Sequence, residues 1–106
     1  MKNPNNLNIN SLSGDWCDND TIMLHACFQL LIDCVENEQL LTGHIDWSVD
    51  ESHANAKKEI EELYQWWNTR KKDSVQNQID DFNEQQYLKD NAMLIRLINV
   101  RKYLWT

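Results

Sequence analysis

Residues 59–70 carry the clearest helical pattern in the chain and constrain the fold more than any other stretch. At about 100° per residue, the apolar side chains of this stretch and of Ala56 fall on one arc of a helical wheel. The arc consists of Ala56, Ile60, Leu63, Tyr64 and Trp67, with Trp66 at its edge. The pattern predicts an amphipathic helix against which the rest of the chain packs.

Two charged residues, Glu59 and Arg70, lie within this apolar arc. They are about 16 Å apart along the axis, too far to pair with each other. Because an unpaired buried charge costs several kcal/mol, each should meet an opposite charge on another helix, unless both lie at the rim and extend to water. Paired charges would fix how the helices dock or would line a ligand pocket. The candidate members of this buried polar network are Glu59, Glu62, Trp66, Arg70 and Arg101.

The composition favours a single all-α domain. Among 106 residues there are only two glycines and one proline, and long segments keep a polar–apolar periodicity. The formal charge of −7 argues against direct binding of nucleic acid, which needs a basic surface. An acidic helical surface can instead imitate nucleic acid toward a basic protein, or can serve solubility alone. We therefore expect a compact bundle of about four helices over residues 15–106, preceded by a flexible N-terminal arm over residues 1–14.

The three cysteines and the absence of a long apolar run indicate the compartment. Cys27 and Cys34 lie two turns apart on one helix, beyond disulfide reach, and the chain has no CxxC motif. No apolar run is long enough to span a bilayer. We expect a soluble cytoplasmic protein with reduced thiols and no membrane partner.

Four helices are predicted after an acidic turn formed by Asp15, Asp18 and Asp20, whose carboxylates suit the positive end of the first helix. Helix 1 covers residues 21–37, with His25 and Gln29 on a solvent-facing stripe opposite its apolar face. Ile22 and Ile32 flank this stripe and leave apolar surface for another helix or for a homo-oligomer. The members predicted for the apolar face are Met23, Leu24, Cys27, Phe28, Leu30, Leu31, Cys34 and Val35.

The later helices supply the partners for the buried charges. Ser48 and Glu51 form a predicted capping box for helix 2, which should end near Arg70. Helix 3 should begin with Asp73 as its cap, and helix 4 should cover residues 88–104 with Arg101 in the middle of its apolar arc. Glu59 is the expected partner of Arg101, and an aspartate of the acidic turn is the expected partner of Arg70. The apolar stripe predicted for helix 3 is Val75, Ile79 and Phe82.

Several stretches of the chain resemble small phage- and prophage-encoded proteins of unassigned function. They include DWCDND at residues 15–20, LHACFQLL at 24–31, LYQWW at 63–67 and the ending RLINVRKYLWT at 96–106. The resemblance covers most of the chain after Gly14. It implies an accessory protein of a phage that acts in the bacterial cytoplasm, and it carries over no catalytic residue.

An enzymatic alternative depends on paired carboxylates. Glu59 and Glu62 form an ExxE pair, and Asp81 and Glu84 form a DxxE pair further along the chain. Carboxylates three residues apart share one side of a helix, so two such helices can hold Mg²⁺ on the phosphates of a nucleotide. The arrangement resembles that of all-α nucleoside triphosphate pyrophosphatases, although the second motif is inverted and no basic phosphate-binding cluster accompanies it.

The function expected from these features is non-enzymatic. A small phage accessory protein would bind and modulate a host or defence protein through an acidic, aromatic-bearing surface, with an anti-defence role as one candidate. No catalytic residue and no cofactor are assigned. The alternative is binding of a nucleotide or another phosphate-containing small molecule, with or without Mg²⁺-dependent hydrolysis, in a pocket lined by Arg70, Arg101, Trp66 and the Glu59/Glu62 pair.

Overall fold

The computed structural model of the chain describes residues 7–12, 18–43, 46–76 and 84–104, with the side chains of residues 73–76 left out. This part of the chain folds into three α-helices without a strand: α1 (Asn19–Ile32), α2 (Glu51–Gln76) and α3 (Glu84–Asn99). A π-helical turn (Asp33–Asn37) continues α1, and a 3₁₀ turn (Arg101–Tyr103) follows α3. The all-α class is confirmed, whereas three α-helices are found in the described ranges rather than four. No helix in these ranges combines the length and apolar character that crossing a bilayer requires.

The helix α2 is longer than predicted at its C-terminal end. It continues past Arg70 to Gln76, so the prediction that Asp73 caps a separate helix is wrong. Residues 71–76 contain no glycine or proline, and nothing in them ends a helix. The apolar stripe predicted for helix 3 lies outside the described side chains.

The start of α2 also differs from the prediction. Asp50, rather than Ser48, caps the helix: its Oδ1 accepts a hydrogen bond from the backbone N–H of His53 at 2.7 Å. The Ser48 hydroxyl instead donates to Asp46 Oδ1 at 2.6 Å and closes the turn before the helix. Because the helix begins at Glu51, a carboxylate at position 50 is placed to satisfy its open backbone amides.

The core is built around the apolar arc of α2, as its periodicity predicts. Ile60 and Leu63 are fully buried, and Trp67 is 1% exposed. The Trp67 ring stacks on Phe28 of α1, with centroids 4.8 Å apart, and meets the His25 ring edge-on at 4.7 Å. Helix α3 completes the core with Met93 and Leu97, and Val100, directly after the helix, is buried with them.

The orientation of α1 differs from the prediction. His25 and Gln29, expected in solvent, are 0% and 3% exposed, whereas Met23 and Leu30, expected in the core, are 62% and 50% exposed. Ile32, expected to flank the solvent-facing stripe, is buried as well. The helix is therefore rotated so that part of its polar stripe faces inward.

Residues 7–12 explain how a polar stripe can be buried on α1. The backbone N–H of Asn10 donates to Gln29 Oε1 at 3.0 Å, and the Ser11 hydroxyl is hydrogen-bonded to His25 Nδ1 at 2.6 Å. The Gln29 side chain also donates to Asp33 Oδ1 at 2.9 Å. These contacts satisfy polar groups whose burial would otherwise be costly. Of the predicted N-terminal arm, this is the part that the structure describes.

The chain reverses direction sharply after the π-helical turn. Gln39 has a φ of 54°, and the next N–H, from Leu40, donates back to the carbonyl of Cys34 at 2.9 Å. A Cβ atom on Gly43 would lie 2.8 Å from the carbonyl oxygen of Gln39, so a side chain does not fit there. The indole N–H of Trp47 donates to the carbonyl of Leu40 at 3.2 Å and holds this turn beneath the start of α2.

Candidate functional site

Two ion pairs join α2 to α3, and the first is nearly buried. Arg70 Nε and Nη2 donate to Asp90 Oδ1 and Oδ2, both at 2.8 Å, and the side chains of the pair are 15% and 10% exposed. Gln86 Nε2 adds a third hydrogen bond to Asp90 Oδ1 at 2.9 Å. Arg70 thus meets a carboxylate on another helix, but α3 supplies it rather than Asp18 or Asp20 of the acidic turn.

The second ion pair lies nearer the surface. Arg96 Nε donates to Glu59 Oε2 at 2.7 Å, and its Nη2 contacts both Glu59 Oε1 and Glu62 Oε1, the latter at 3.1 Å. The hydrogen bonds from Arg96 hold the pKa of Glu59 below its usual value, against the opposing effect of its partial burial. The guanidinium therefore bridges the two carboxylates of the ExxE pair and offsets one of their two negative charges.

Arg101 does not belong to this network. The prediction that it lies on the buried arc and pairs with Glu59 is wrong, because Arg101 is exposed at the start of the 3₁₀ turn. The predicted position assumed an α-helix through residue 104, whereas α3 ends at Asn99 and the angular spacing of the residues changes beyond it. Arg96, five residues earlier, takes the place assigned to Arg101.

Beside the second ion pair lies a groove of about 560 Å³, called here the α2–α3 groove. Its apolar lining comes from the π-helical turn, the following turn and both helices, and consists of Val35, Leu41, Tyr64, Trp66 and Met93. Its polar lining consists of Glu61, Glu62, Gln65, Lys89 and Arg96. The groove brings together two of the predicted site residues, Glu62 and Trp66, while Arg70 and Arg101 are not among its lining residues.

Trp66 is held at the groove by the core behind it. Its ring lies 5.4 Å from that of Phe28 and 6.0 Å from that of Trp67, between centroids, and the residue is partly exposed. Neighbouring Tyr64 donates its hydroxyl to Glu36 Oε2 at 2.6 Å, and this hydrogen bond raises the pKa of the phenol. An aromatic face is thus presented to solvent in a fixed orientation.

Some of the charged side chains around the groove form ion pairs and others do not. Arg96 is bound by two carboxylates, whereas Glu61 and Lys89 are exposed and form no ion pair with any residue in the described ranges. Glu62 adds a second carboxylate to the lining of the groove. An arriving ligand would therefore meet the Glu61 carboxylate and the Lys89 ammonium as the unpaired charges.

The described residues do not form the predicted metal site. Glu84 begins α3 twelve residues before Arg96, about 18 Å along the helix axis, so it cannot share an ion with Glu59 and Glu62. Asp81 lies outside the described residues, as does Asp15 of the acidic turn. In the part of the chain that the structure describes, no group of three or more metal-type ligands is found.

The described aspartates of the acidic turn lie at the start of α1. Asp18 occupies the N-cap position without a capping hydrogen bond from its side chain. Asp20 is exposed, and its Oδ1 accepts the backbone N–H of Thr21 at 2.9 Å. Both carboxylates lie near the positive end of the helix dipole, where negative charge is stabilising.

A second cleft, of about 410 Å³, lies between residues 10–11, α1 and the last third of α2, with Lys71 and Lys72 at its edge. Beneath this cleft, the Ser11 hydroxyl is hydrogen-bonded to His25. Burial, and then the positive charge of Arg70, lower the pKa of His25 to about 4, with Asp90 opposing them. The imidazole is therefore neutral at pH 7 and a weak proton acceptor. Its hydrogen bond with the Ser11 hydroxyl joins residues 7–12 to α1.

The sequence indicated that Asp90 is buried, which the predictions missed. Asp90, Met93, Leu97 and Val100 follow one another at spacings of three, four and three, so Asp90 shares the apolar face of α3. A carboxylate in that register indicates a buried partner for Arg70. The position of Arg96 indicated a contact with α2 less clearly, since Arg96 lies on the flank of this face.

The geometry of the α2–α3 groove is that of a binding surface. Trp66 and Met93 can contact an apolar or aromatic group, while the carboxylate of Glu61 can accept hydrogen bonds from a cation beside it. The chain was also compared with protein-family models, curated proteins and solved structures, and none of them matches it.

Proposed function

We propose that the protein is a small, non-enzymatic accessory protein of a phage that binds and modulates a host or defence protein. The observation that carries the proposal is the α2–α3 groove, where partly exposed Trp66 lies in an apolar lining beside the unpaired Glu61 carboxylate. The origin in a phage is supported by the sequence resemblance, and an anti-defence role is the candidate within this class.

Trp66 and its neighbours supply the anchor for a partner. A large aromatic side chain supported by packed rings presents contact area without losing much conformational freedom on binding, and such residues dominate the energetics of interfaces. Met93 beside it can adjust to the shape of an inserted side chain. We infer that one apolar or aromatic side chain of the partner enters the groove.

The charge distribution supports a basic partner. The chain has a net charge of −7, and Glu61 and Glu62 line the groove. An acidic surface speeds encounter with a positively charged protein and disfavours nucleic acid. Proteins of restriction and CRISPR systems bind nucleic acid through basic surfaces. An acidic protein surface can bind such a basic surface in place of the nucleic acid.

The test is capture of partners by tagged protein from lysate of infected cells, with two charge-reversed variants compared. Glu61→Lys reverses the unpaired charge at the groove, whereas Glu51→Lys makes the same change at the exposed start of α2. We expect a protein that the wild type and Glu51→Lys capture and that Glu61→Lys loses. With the purified partner, calorimetry should show at least about a tenfold loss for Glu61→Lys, and affinity should fall with added salt.

Two results would contradict the proposal. In the first, every captured protein binds equally to the wild type and Glu61→Lys, so that the groove has no part in binding. In the second, a nucleotide with Mg²⁺ raises the melting temperature and Glu62→Gln abolishes the increase. That outcome would favour the small-molecule alternative, in which the Glu59/Glu62 pair would have to exchange Arg96 for a metal.

A further inference from the structure

Two rows of residues in the α2–α3 groove run along the helix axes. On α3, Lys89, Met93 and Arg96 are spaced by four and three residues, so they share one side of the helix. On α2, Glu62 and Trp66 are four residues apart and share a side in the same way. Rows at these spacings are the ridges against which a further helix packs. The groove therefore has the form of a surface that binds a helix.

One end of the groove is acidic. Arg96 of α3 is paired with Glu59 and Glu62 of α2. Glu61, the neighbour of Glu62 in the chain, also lines the groove. Three carboxylates and one guanidinium leave an excess of two negative charges at this end. The Glu61 carboxylate is exposed and unpaired within the described ranges, so it can contact a cation of a partner.

The other end of the groove is basic. Lys89 lies seven residues before Arg96, about 10 Å away along the axis of α3, and it is exposed. The neighbouring Asp90 carboxylate is paired with Arg70 of α2, so its charge is already offset. Among the residues that the structure describes, none forms an ion pair with Lys89. The Lys89 ammonium can therefore contact an anion of a partner.

The apolar part of the groove lies between these two ends. On α3, Met93 is located between Lys89 and Arg96. On α2, Trp66 is one turn beyond Glu62 in the direction of Arg70, whose partner Asp90 is next to Lys89 in the chain. A segment that lies along the groove thus meets an acidic end, an apolar centre and a basic end.

We propose that the groove binds one helix of the partner, on which a basic and an acidic residue are seven positions apart with a large apolar residue between them. The basic residue contacts Glu61, the apolar residue packs against Trp66, and the acidic residue contacts Lys89. Seven residues of helix cover about 10 Å, which matches the separation of the two ends. An apolar residue three or four positions from each charge falls on the same helix face. The inference rests on the proposed function, because it specifies which segment of the partner occupies the groove.

Lys89 makes the groove selective among basic partners. A helix with lysine or arginine at both charged positions would bring like charges together at Lys89. A helix with acidic residues at both positions would do the same at Glu61. One charge of each sign forms an attractive contact at both ends, so repulsion rejects the other two combinations. The partner is thus basic as a whole, as the net charge of −7 favours, but presents one carboxylate to Lys89.

The test is selection of peptides on the purified full chain from a yeast-displayed library. The peptides are alanine-rich helices of about 16 residues, randomised along one face. We expect the enriched sequences to carry an acidic and a basic residue seven positions apart, with a large apolar residue between them. Selection on Lys89→Glu should replace the acidic residue by a basic one. Selection on Glu61→Lys should remove the preference for a basic residue at the other position.

Matched control variants make the same charge changes outside the groove. Lys58→Glu and Glu51→Lys lie at exposed positions of α2 that do not line it, and both should select the wild-type pattern. With the most enriched peptide, fluorescence anisotropy should show at least about tenfold weaker binding to Lys89→Glu than to Lys58→Glu. Circular dichroism checks that all variants keep the helix content of the wild type.

Three results would overturn the proposal. They are a selection that enriches no peptide, enriched peptides without opposite charges seven positions apart, and a pattern that Lys89→Glu leaves unchanged. The selection uses no host protein, so its outcome is separate from that of the capture experiment. If a host protein depends on Glu61 for capture but the peptide pattern is absent, the proposed function stands and the helix inference fails.

Discussion

The nearly buried pair of Arg70 and Asp90 allows a stability test of how α2 and α3 are joined. Asp90→Leu keeps the branched shape of the side chain but removes the charge, while Arg70→Met keeps much of its length. Each change leaves the other charge in a site where the side chains are only 15% and 10% exposed. The double variant, in contrast, leaves no charge behind.

The geometry of the pair sets the expected losses in the free energy of unfolding. Removing one partner of a buried ion pair costs about 3–5 kcal/mol, because the remaining charge is desolvated without compensation. The bidentate geometry, with both distances at 2.8 Å and a third hydrogen bond from Gln86, places this pair in that class. Replacing both partners by apolar groups of similar shape should leave the free energy of unfolding within about 1 kcal/mol of the wild type.

Urea unfolding followed by far-UV circular dichroism measures these differences. A loss of about 3 kcal/mol would remove a large part of a typical folding free energy of about 5–15 kcal/mol. The exposed change Glu61→Leu should shift stability by less than about 0.5 kcal/mol. The reasoning is refuted if each single variant loses less than about 1 kcal/mol, or if the double variant loses the sum of both.

Three further predictions concern other charges and the core. His25 has a pKa of about 4 in the folded protein against 6.5 when unfolded, so the unfolded state binds more protons between these values. The free energy of unfolding should therefore fall by up to about 3 kcal/mol as the pH drops from 7 to 4, and His25→Gln should remove that part of the slope in urea titrations. Arg96→Ala should cost about 1 kcal/mol, whereas Arg101→Ala and Arg101→Met should both be neutral; equal losses at the two arginines would contradict the assignment of partners. Leu63→Ala should cost about 2–5 kcal/mol in thermal or urea melts, because a fully buried side chain leaves a cavity.

The apolar arc of α2 could be predicted because the helix is long and its periodicity is regular. Ile60, Leu63 and Trp67 follow one face without interruption, and all three are buried. The same regularity located Glu59 and Arg70 on that face and required partners for them. Its predicted end near Arg70 is wrong because Asp73 suits a helix cap without requiring one, and no residue there breaks a helix.

The orientation of α1 could not be predicted from its own residues. His25 and Gln29 form a polar stripe that by itself indicates solvent. Their partners, Ser11 and the backbone of Asn10, belong to a segment with no periodicity of its own, so the sequence offered no sign that it lies on α1. Burial of this stripe is a tertiary effect, and it also turns Met23 and Leu30 outward.

The candidate site was predicted only in part, for a reason that concerns the end of α3. Glu62 and Trp66, both named among the predicted pocket residues, line the α2–α3 groove. The basic partner was assigned to Arg101 because an unbroken helix was assumed beyond Asn99. A three-residue 3₁₀ turn is enough to move a side chain from one face to another, and periodicity does not resolve so short a change.

The two ion pairs between α2 and α3 also bear on chain topology, because α2 supplies the acidic residue in one pair and the basic residue in the other. At one level α2 contributes the acid, Glu59, and at the other it contributes the base, Arg70. If α3 were docked upside down, Arg96 would confront Arg70 and Asp90 would confront Glu59. The order of charges along α2 and α3 therefore favours one direction of α3. An inverted α3 would place like charges together at both levels, however well its aliphatic side chains packed.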